Sequence, residues 1–355
     1  MRLTSAIGGC PPFSAASAPH LSQVGSLTTC APLMLALDSA VEGWLLAVVL
    51  LAVPLVFVLP DRIAPDRPLP SAGRLWRLAL IALAAPLFCP TRGVPSTVVT
   101  GLAVVLATRL PDLSRRPSTE STLSRVLWLL TPIVRSLPDD ASRRQANRNG
   151  ALRFVGRALA KRLCWEPFGY VMTLQDPQQT PAVARTALLI LYFVLNLTAL
   201  ADLALALARL IGADTEEVFD WPLLATSPRE FWSRRWNRYV SRFALRHVAR
   251  PLQSRLPRPL VTISVFFVSA LFHEYFAWGA AGAATQPGTM TAFFLAQGLA
   301  VVLGERLPLP RGTPRIVGHL GTVAWMVLTA PWFFASLRPA LLDFGVPTAW
   351  LVTTN

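Results

Sequence analysis

Two residues in the second half of the chain could do chemistry that their surroundings do not explain. One is His273, inside an apolar run; the other is Asn237, at the end of an aromatic and basic one. His273 lies 13 residues past Leu260. At about 1.5 Å per residue this puts it roughly 20 Å along a helix, at membrane depth. A polar residue in hydrocarbon is costly and points to function. Burial disfavours an imidazolium, leaving a neutral ring with one acceptor nitrogen, suited to taking a proton from a hydroxyl. The competing reading is a core histidine bonded to a neighbouring helix. Glu274 projects about 100° away from it and either pairs with an arginine or orients a backbone group.

Asn237 closes the stretch Ser227-Pro228-Arg229-Glu230-Phe231-Trp232-Ser233-Arg234-Arg235-Trp236-Asn237. Ser227 as N-cap, Pro228 at the first position and Glu230 completing a capping box predict a helix over 227–248. At a 3.6-residue period Trp232, Trp236, Tyr239, Val240, Phe243 and His247 share one face, and Arg234, Arg238 and Arg242 another. Such a helix suits an interface with anionic lipid. Asn237 flanks the aromatic face, where a short amide could donate to a bound carbonyl. Gln297, in another apolar run, either orients an acceptor hydroxyl or bonds a neighbouring helix, and Glu305 at its end reads the same way. His20, His247 and His319 read as structural.

The elements that must position these groups are membrane helices. Of the 355 residues 53% are hydrophobic and only 15% charged, against about 25% charged in a soluble domain. Apolar runs cover 43–59, 75–88, 95–110, 184–211, 260–282, 289–303 and 315–337, several reaching the roughly 17–25 residues that cross ~30 Å of hydrocarbon. They do not alternate as barrel strands would, so helices are expected. Runs 75–88 and 95–110 form a hairpin about Pro90-Thr91-Arg92-Gly93. Residues 151–174 mix Arg153, Arg157, Lys161 and Arg162 with apolar residues, as an interfacial helix with snorkelling cations would. The expected fold is an all-α, polytopic transmembrane bundle of about seven to nine spans with interfacial amphipathic helices. It forms a single domain over 33–355, behind a disordered leader at 1–32. The arginine-rich stretches 60–77, 111–160, 212–258 and 304–314 fall on the cytoplasmic side, which requires one further crossing within 124–178.

The net charge is +14, and Lys161 is the only lysine. GC-rich coding and the positive-inside tendency account for arginines set between apolar spans, so no nucleic-acid partner is expected. Cys10, Cys30, Cys89 and Cys164 form no CxxC pair, and the four histidines have no metal-ligand spacing; no metal or cofactor is expected. The expected setting is an integral membrane protein of the bacterial inner membrane. Its oligomeric state does not follow from the sequence.

The segment Phe231-Trp232-Ser233-Arg234-Arg235-Trp236-Asn237 resembles the FWxRRWN signature of wax synthases in the membrane-bound O-acyltransferase superfamily. Ser269-Ala270-Leu271-Phe272-His273-Glu274-Tyr275 is similar to the histidine motif of the same superfamily, 36 residues after Asn237. The resemblance covers about 219–304. It implies transfer of an acyl group from acyl-CoA, as co-substrate, to a lipid alcohol, forming wax-type esters in contact with membrane lipids. Diacylglycerol or a sterol is the alternative acceptor, and a non-catalytic lipid transporter the alternative of another class. The resemblance also implies His273 as general base and Asn237 as its partner, with Trp232, Arg235 and Trp236 shaping the thioester entrance.

Overall fold

Apolar runs fold as helices because lipid and packed cores offer backbone groups no partner but each other. A computed structural model describes residues 30–58, 71–116, 120–174, 176–177, 179–306, 314–343 and 350. The chain divides into Met1–Ser39 and Ala40–Asn355, and apart from the start of the first helix the second unit carries everything below. The expected leader lies outside the described residues as far as residue 29, as do parts of the 60–77 and 304–314 loops.

Helix α1 (Cys30–Val58) contains Pro54. Helix α2 (Ala72–Ala84) runs on into a 3-10 turn and is followed by α3 (Val94–Arg109), which packs against it as the expected hairpin. Leu75, Leu78, Leu106, Leu110 and Trp128 fill its core. Gly93 turns the corner at φ 109°, a conformation open to glycine, and its N–H donates to the Ala280 carbonyl at 3.0 Å. Arg92 donates to the carbonyls of Pro86 and Gly279, both at 3.1 Å. These bonds tie the hairpin to the end of α11 (Arg258–Ala281).

Next come α4 (Thr122–Leu130), strand β1 (Val134–Ser136), α5 (Ala141–Asn149), α6 (Ala151–Leu174) and α7 (Ala182–Leu210). Strand β2 (Asp214–Thr215) pairs antiparallel with β1, Val134 opposite Thr215. Helices α6 and α7 pack along one another, and of the four cations of 151–174 Arg153 and Arg162 are exposed. Lys161 and Arg157 turn inward, onto Asp202 of α7. Lys161 Nζ lies 2.6 Å from Asp202 Oδ2, and Arg157 Nη2 lies 3.0 Å from Oδ1. Arg157 Nη1 also meets Glu217 Oε2 at 2.8 Å. Asp202 is 2% exposed, a burial that a carboxylate tolerates only when paired.

The chain then passes through the short helices α8 (Pro228–Glu230), α9 (Arg238–Ala244) and α10 (Arg250–Gln253) to α11, α12 (Thr289–Arg306) and α13 (Arg315–Asp343). The last three pack around Phe266, Ala270, Met290, Phe294 and Leu337. Among the described residues, four helical stretches are long and apolar enough to cross a membrane: Val94–Arg115, Ala182–Leu210, Arg258–Ala284 and Arg315–Leu341. Ala40–Val56 is apolar but shorter. The chain is mostly helical and has the character of an integral membrane protein.

Candidate active site

The site begins where the predicted helix over 227–248 breaks. Its start is as expected: Ser227 Oγ accepts from the Glu230 N–H at 3.1 Å. The Glu230 carboxylate turns back to accept from Thr226 N (2.9 Å) and Thr226 Oγ1 (2.7 Å), and from Arg235 Nε (2.6 Å). Partial burial works to raise this carboxyl; the Thr226 hydrogen bonds and the Arg235 charge outweigh it and hold it at about 2. After α8 the chain widens into one π-helical turn, Phe231–Arg235, and stops. Trp236 is extended, and Asn237 is left-handed at φ 40° and ψ 59°. Asparagine is among the few non-glycine residues that adopt this conformation readily. It is also a favoured N-cap, and its Oδ1 accepts from Val240 N at 3.3 Å to start α9. Backbone bonds from Asp220 N to Arg235 O and from Arg238 N to Val218 O, both 2.8 Å, brace the break. The Ser241 hydroxyl spans it, donating to the Trp232 carbonyl at 2.7 Å.

The break sends the two tryptophans in different directions from those of a continuous helix. Trp236 stacks on Phe231 with ring centres 5.4 Å apart and meets Phe219 edge-on at 4.9 Å. Trp232 packs among Phe266, Phe293 and Phe294, and its Nε1 donates to Gln297 Oε1 at 3.3 Å. Both expected faces are in part committed to packing, though Arg234 is exposed. The Tyr239 hydroxyl bonds Thr108 Oγ1 of α3, and Arg242 pairs with Glu216.

His273 comes from α11. Its Nδ1 lies 2.7 Å from the Ser269 carbonyl oxygen, one turn earlier. A carbonyl only accepts, so Nδ1 carries the proton and, in the neutral ring, Nε2 keeps the lone pair. Among the described residues Nε2 has no hydrogen-bond partner. The ring packs against Phe294 at 4.2 Å between centres, which fixes its plane. Asn237 is in a similar state: its Oδ1 is committed to the cap, and its Nδ2 has no partner among the described residues. Trp232, Trp236, Asn237, Ser241, Ser269 and His273 all line one cavity of about 60 Å³.

Two expected site residues stand elsewhere. Arg235 does not line the cavity; it is drawn off by Glu230 and by the carbonyls of Asp220 (3.2 Å) and Trp221 (3.4 Å). Gln297 is fully buried with both ends in use, accepting from Trp232 and donating to Thr329 Oγ1 at 2.7 Å. It is therefore the helix–helix bond of its two readings. Glu274 orients a backbone group, accepting from Thr291 N at 2.9 Å in the first turn of α12. Glu305 pairs with Arg229 at 2.6 Å. His247, read as structural, meets Asp112 Oδ1 at 2.9 Å, beside Arg246. Sequence reasoning missed Ser269 and Ser241. Each sits four residues from a candidate, His273 or Asn237, and that spacing was the available signal.

Fold and cavity together define a helical membrane protein that brings an unpartnered imidazole nitrogen and an unpartnered amide to one internal space. Residues 215–296 match the membrane bound O-acyl transferase family. Among curated relatives, the chain is 30% identical over 187 residues to probable long-chain-alcohol O-fatty-acyltransferase 2 of Arabidopsis thaliana, covering 47% of this chain and 53% of that protein. It is 34% identical over 142 residues to probable long-chain-alcohol O-fatty-acyltransferase 1 of the same plant, covering 36% and 40%. To acyl-CoA–sterol O-acyltransferase 1 of that plant it is 27% identical over 155 residues, covering 41% and 44%. The chain spans about half the length, or less, of these relatives. The chain therefore carries a segment similar to the membrane bound O-acyl transferase family. These relatives are plant proteins and lend no support to a bacterial inner membrane.

Proposed function

We propose that this protein transfers a fatty acyl group from acyl-CoA to the hydroxyl of a long-chain alcohol, forming a wax-type ester. The observation that carries the reading is the shared cavity of His273 and Asn237, each with one uncommitted nitrogen. His273 Nε2 takes the proton of the alcohol as its oxygen bonds to the thioester carbonyl carbon. Asn237 Nδ2 donates to the carbonyl oxygen as negative charge builds there. The carbon–sulfur bond then breaks, the imidazolium returns the proton to the departing thiolate, and ester and free CoA result. Such a base contributes about 10²–10⁴-fold, and one such donor about 10²–10³-fold. Trp232 and Trp236 wall the thioester. Arg235 acts through Glu230 by holding the turn that leads to Asn237.

The seven to nine crossings expected from the sequence belong to this reading. The alcohol and the acyl chain then arrive from membrane lipid.

The test is purified protein with labelled acyl-CoA and a panel of long-chain alcohols, sterols and diacylglycerol, following both ester and free CoA thiol. Ester from long-chain alcohols is the expected result. Ester from sterol alone moves the acceptor assignment to the alternative. Absence of both ester and thiol with every acceptor contradicts acyl transfer.

A further inference from the structure

A second, larger concavity of about 530 Å³ lies apart from the catalytic cavity. It opens between β1, β2, α5 and the end of α7, and four arginines line it together with three carboxylates. Three of these arginines are held by an acid through part of the guanidinium. Arg116 Nε meets Glu120 at 2.8 Å, Arg143 Nη2 meets Asp214 at 2.7 Å, and Arg135 Nη2 meets Glu216 at 2.9 Å. The fourth, Arg209, meets no carboxylate among the described residues. Its Nε donates to Thr215 Oγ1 at 2.9 Å, and its guanidinium lies over the Phe154 ring at 4.9 Å. Gly150 leaves room for it, since a side chain there would collide with Nη1.

This place is built, not a chance surface. The β1–β2 pairing sets its floor, and Asn147 Nδ2 pins the second strand by donating to the Gly212 carbonyl (3.0 Å) and Asp214 Oδ1 (2.8 Å). The result is a fixed guanidinium whose outer N–H groups are uncommitted among the described residues, beside three others held only in part. That planar fork matches phosphate oxygens. Asp139, also on the wall, accepts from Arg144 Nη2 through its main-chain carbonyl at 3.0 Å, while its carboxylate forms no hydrogen bond or ion pair among the described residues and offers an acceptor for hydroxyl or amine groups. A cleft of mixed sign fits a nucleotide better than a bare anion. It is also joined to the catalytic segment. The Glu216 carboxylate binds both Arg135 in the cleft and Arg242 of α9. Arg242 lies five positions, roughly 8 Å along the helix, beyond Asn237.

We propose that this cleft binds the phosphate-bearing nucleotide head of the acyl donor, with Arg209 and Arg135 as phosphate ligands, while the thioester end reaches the cavity of Asn237 and His273. In naming that ligand the proposal rests on the acyl-CoA reading. The test is binding of CoA, dephospho-CoA and inorganic phosphate to the full chain in detergent, by calorimetry. Arg209→Gln and Arg135→Gln each weaken CoA binding roughly tenfold or more. Both raise KM for acyl-CoA and leave kcat and the alcohol's KM near wild type. Arg135 has a side chain 61% exposed, so its variant folds even if Arg209→Gln does not. Unchanged CoA affinity in Arg135→Gln and in folded Arg209→Gln overturns the placement and leaves acyl transfer standing. So does selective loss of binding to phosphatidylglycerol vesicles, which would give the cleft to a lipid headgroup. A wild-type chain that binds no CoA overturns both the placement and the acyl-CoA reading.

Discussion

Two sets of polar groups enter the helical body of this protein, and they are completed to different degrees. Around Asp202 the charges are paired: both carboxylate oxygens meet a cation, and Arg157 also reaches Glu217, although the buried Arg157 Nε has no hydrogen-bond partner among the described residues. Around His273 each group is only half answered. One ring nitrogen bonds the Ser269 carbonyl and the Asn237 oxygen caps α9, while the other ring nitrogen and the Asn237 amide nitrogen have no partner among the described residues and both residues line a cavity. Buried polar groups in folded proteins are nearly always satisfied. A charge-paired set holds helices together; a pair with free nitrogens facing a cavity is available to a substrate.

The contrast is broken most severely at Asp202. Asp202→Ala leaves Lys161 buried without its carboxylate, a loss of about 3–5 kcal/mol. Thermal melting of the purified protein reads it, and turnover per folded molecule stays near wild type. Lost turnover at unchanged stability would place Asp202 in the chemistry and erase the distinction.

Asn237 sharpens it, because this residue both shapes the backbone and offers an amide. Asn237→Gly keeps the positive φ and weakens the cap by only about a few tenths of a kcal/mol. The fold therefore persists, while ester formation falls roughly 10²-fold. Asn237→Ala loses the same amide and adds about 1–2 kcal/mol for the left-handed backbone. A glycine variant as active as wild type would make Asn237 a corner and nothing more.

The smallest effect belongs to Glu230. Its folded pKa of about 2 lies below the ordinary value of 4.5. As pH falls, the unfolded chain takes up the proton first. The stabilisation is therefore fully present above pH 4.5 and is lost as pH falls from there toward about 2. Glu230 is partly exposed, which keeps the contribution small. Glu230→Gln flattens the melting temperature against pH across that window. Superimposable profiles of wild type and variant would contradict the clamp from Thr226 and Arg235.

Much of the scaffold was legible because long apolar runs have few solutions. Helices α7, α11, α12 and α13 begin within two residues of where hydropathy put them, and the α2–α3 hairpin turns at Gly93 as expected. The Ser227 cap and the place of His273 well inside a long helix were legible too, since both follow from local spacing. The break at Asn237 was not. A 3.6-residue period presumes a continuous helix, whereas this one is ended by backbone bonds to 218–220 and a left-handed residue. The partners of Lys161, Arg235 and Gln297 were hidden for a related reason. Each bond reaches another part of the fold, Lys161 to a carboxylate 41 residues away and Gln297 to a hydroxyl 32 residues away. The two short paired strands, three residues and two, carry too little pattern to be seen.

The central claim is that the free nitrogen of His273 takes the proton from the acceptor hydroxyl. Ester formation from acyl-CoA and a long-chain alcohol by purified His273→Ala, alongside its melting curve, measures this most directly. The account predicts a fall of about 10²–10⁴-fold in ester formed, with melting close to wild type. Ester formed at the wild-type rate by the folded variant would contradict it.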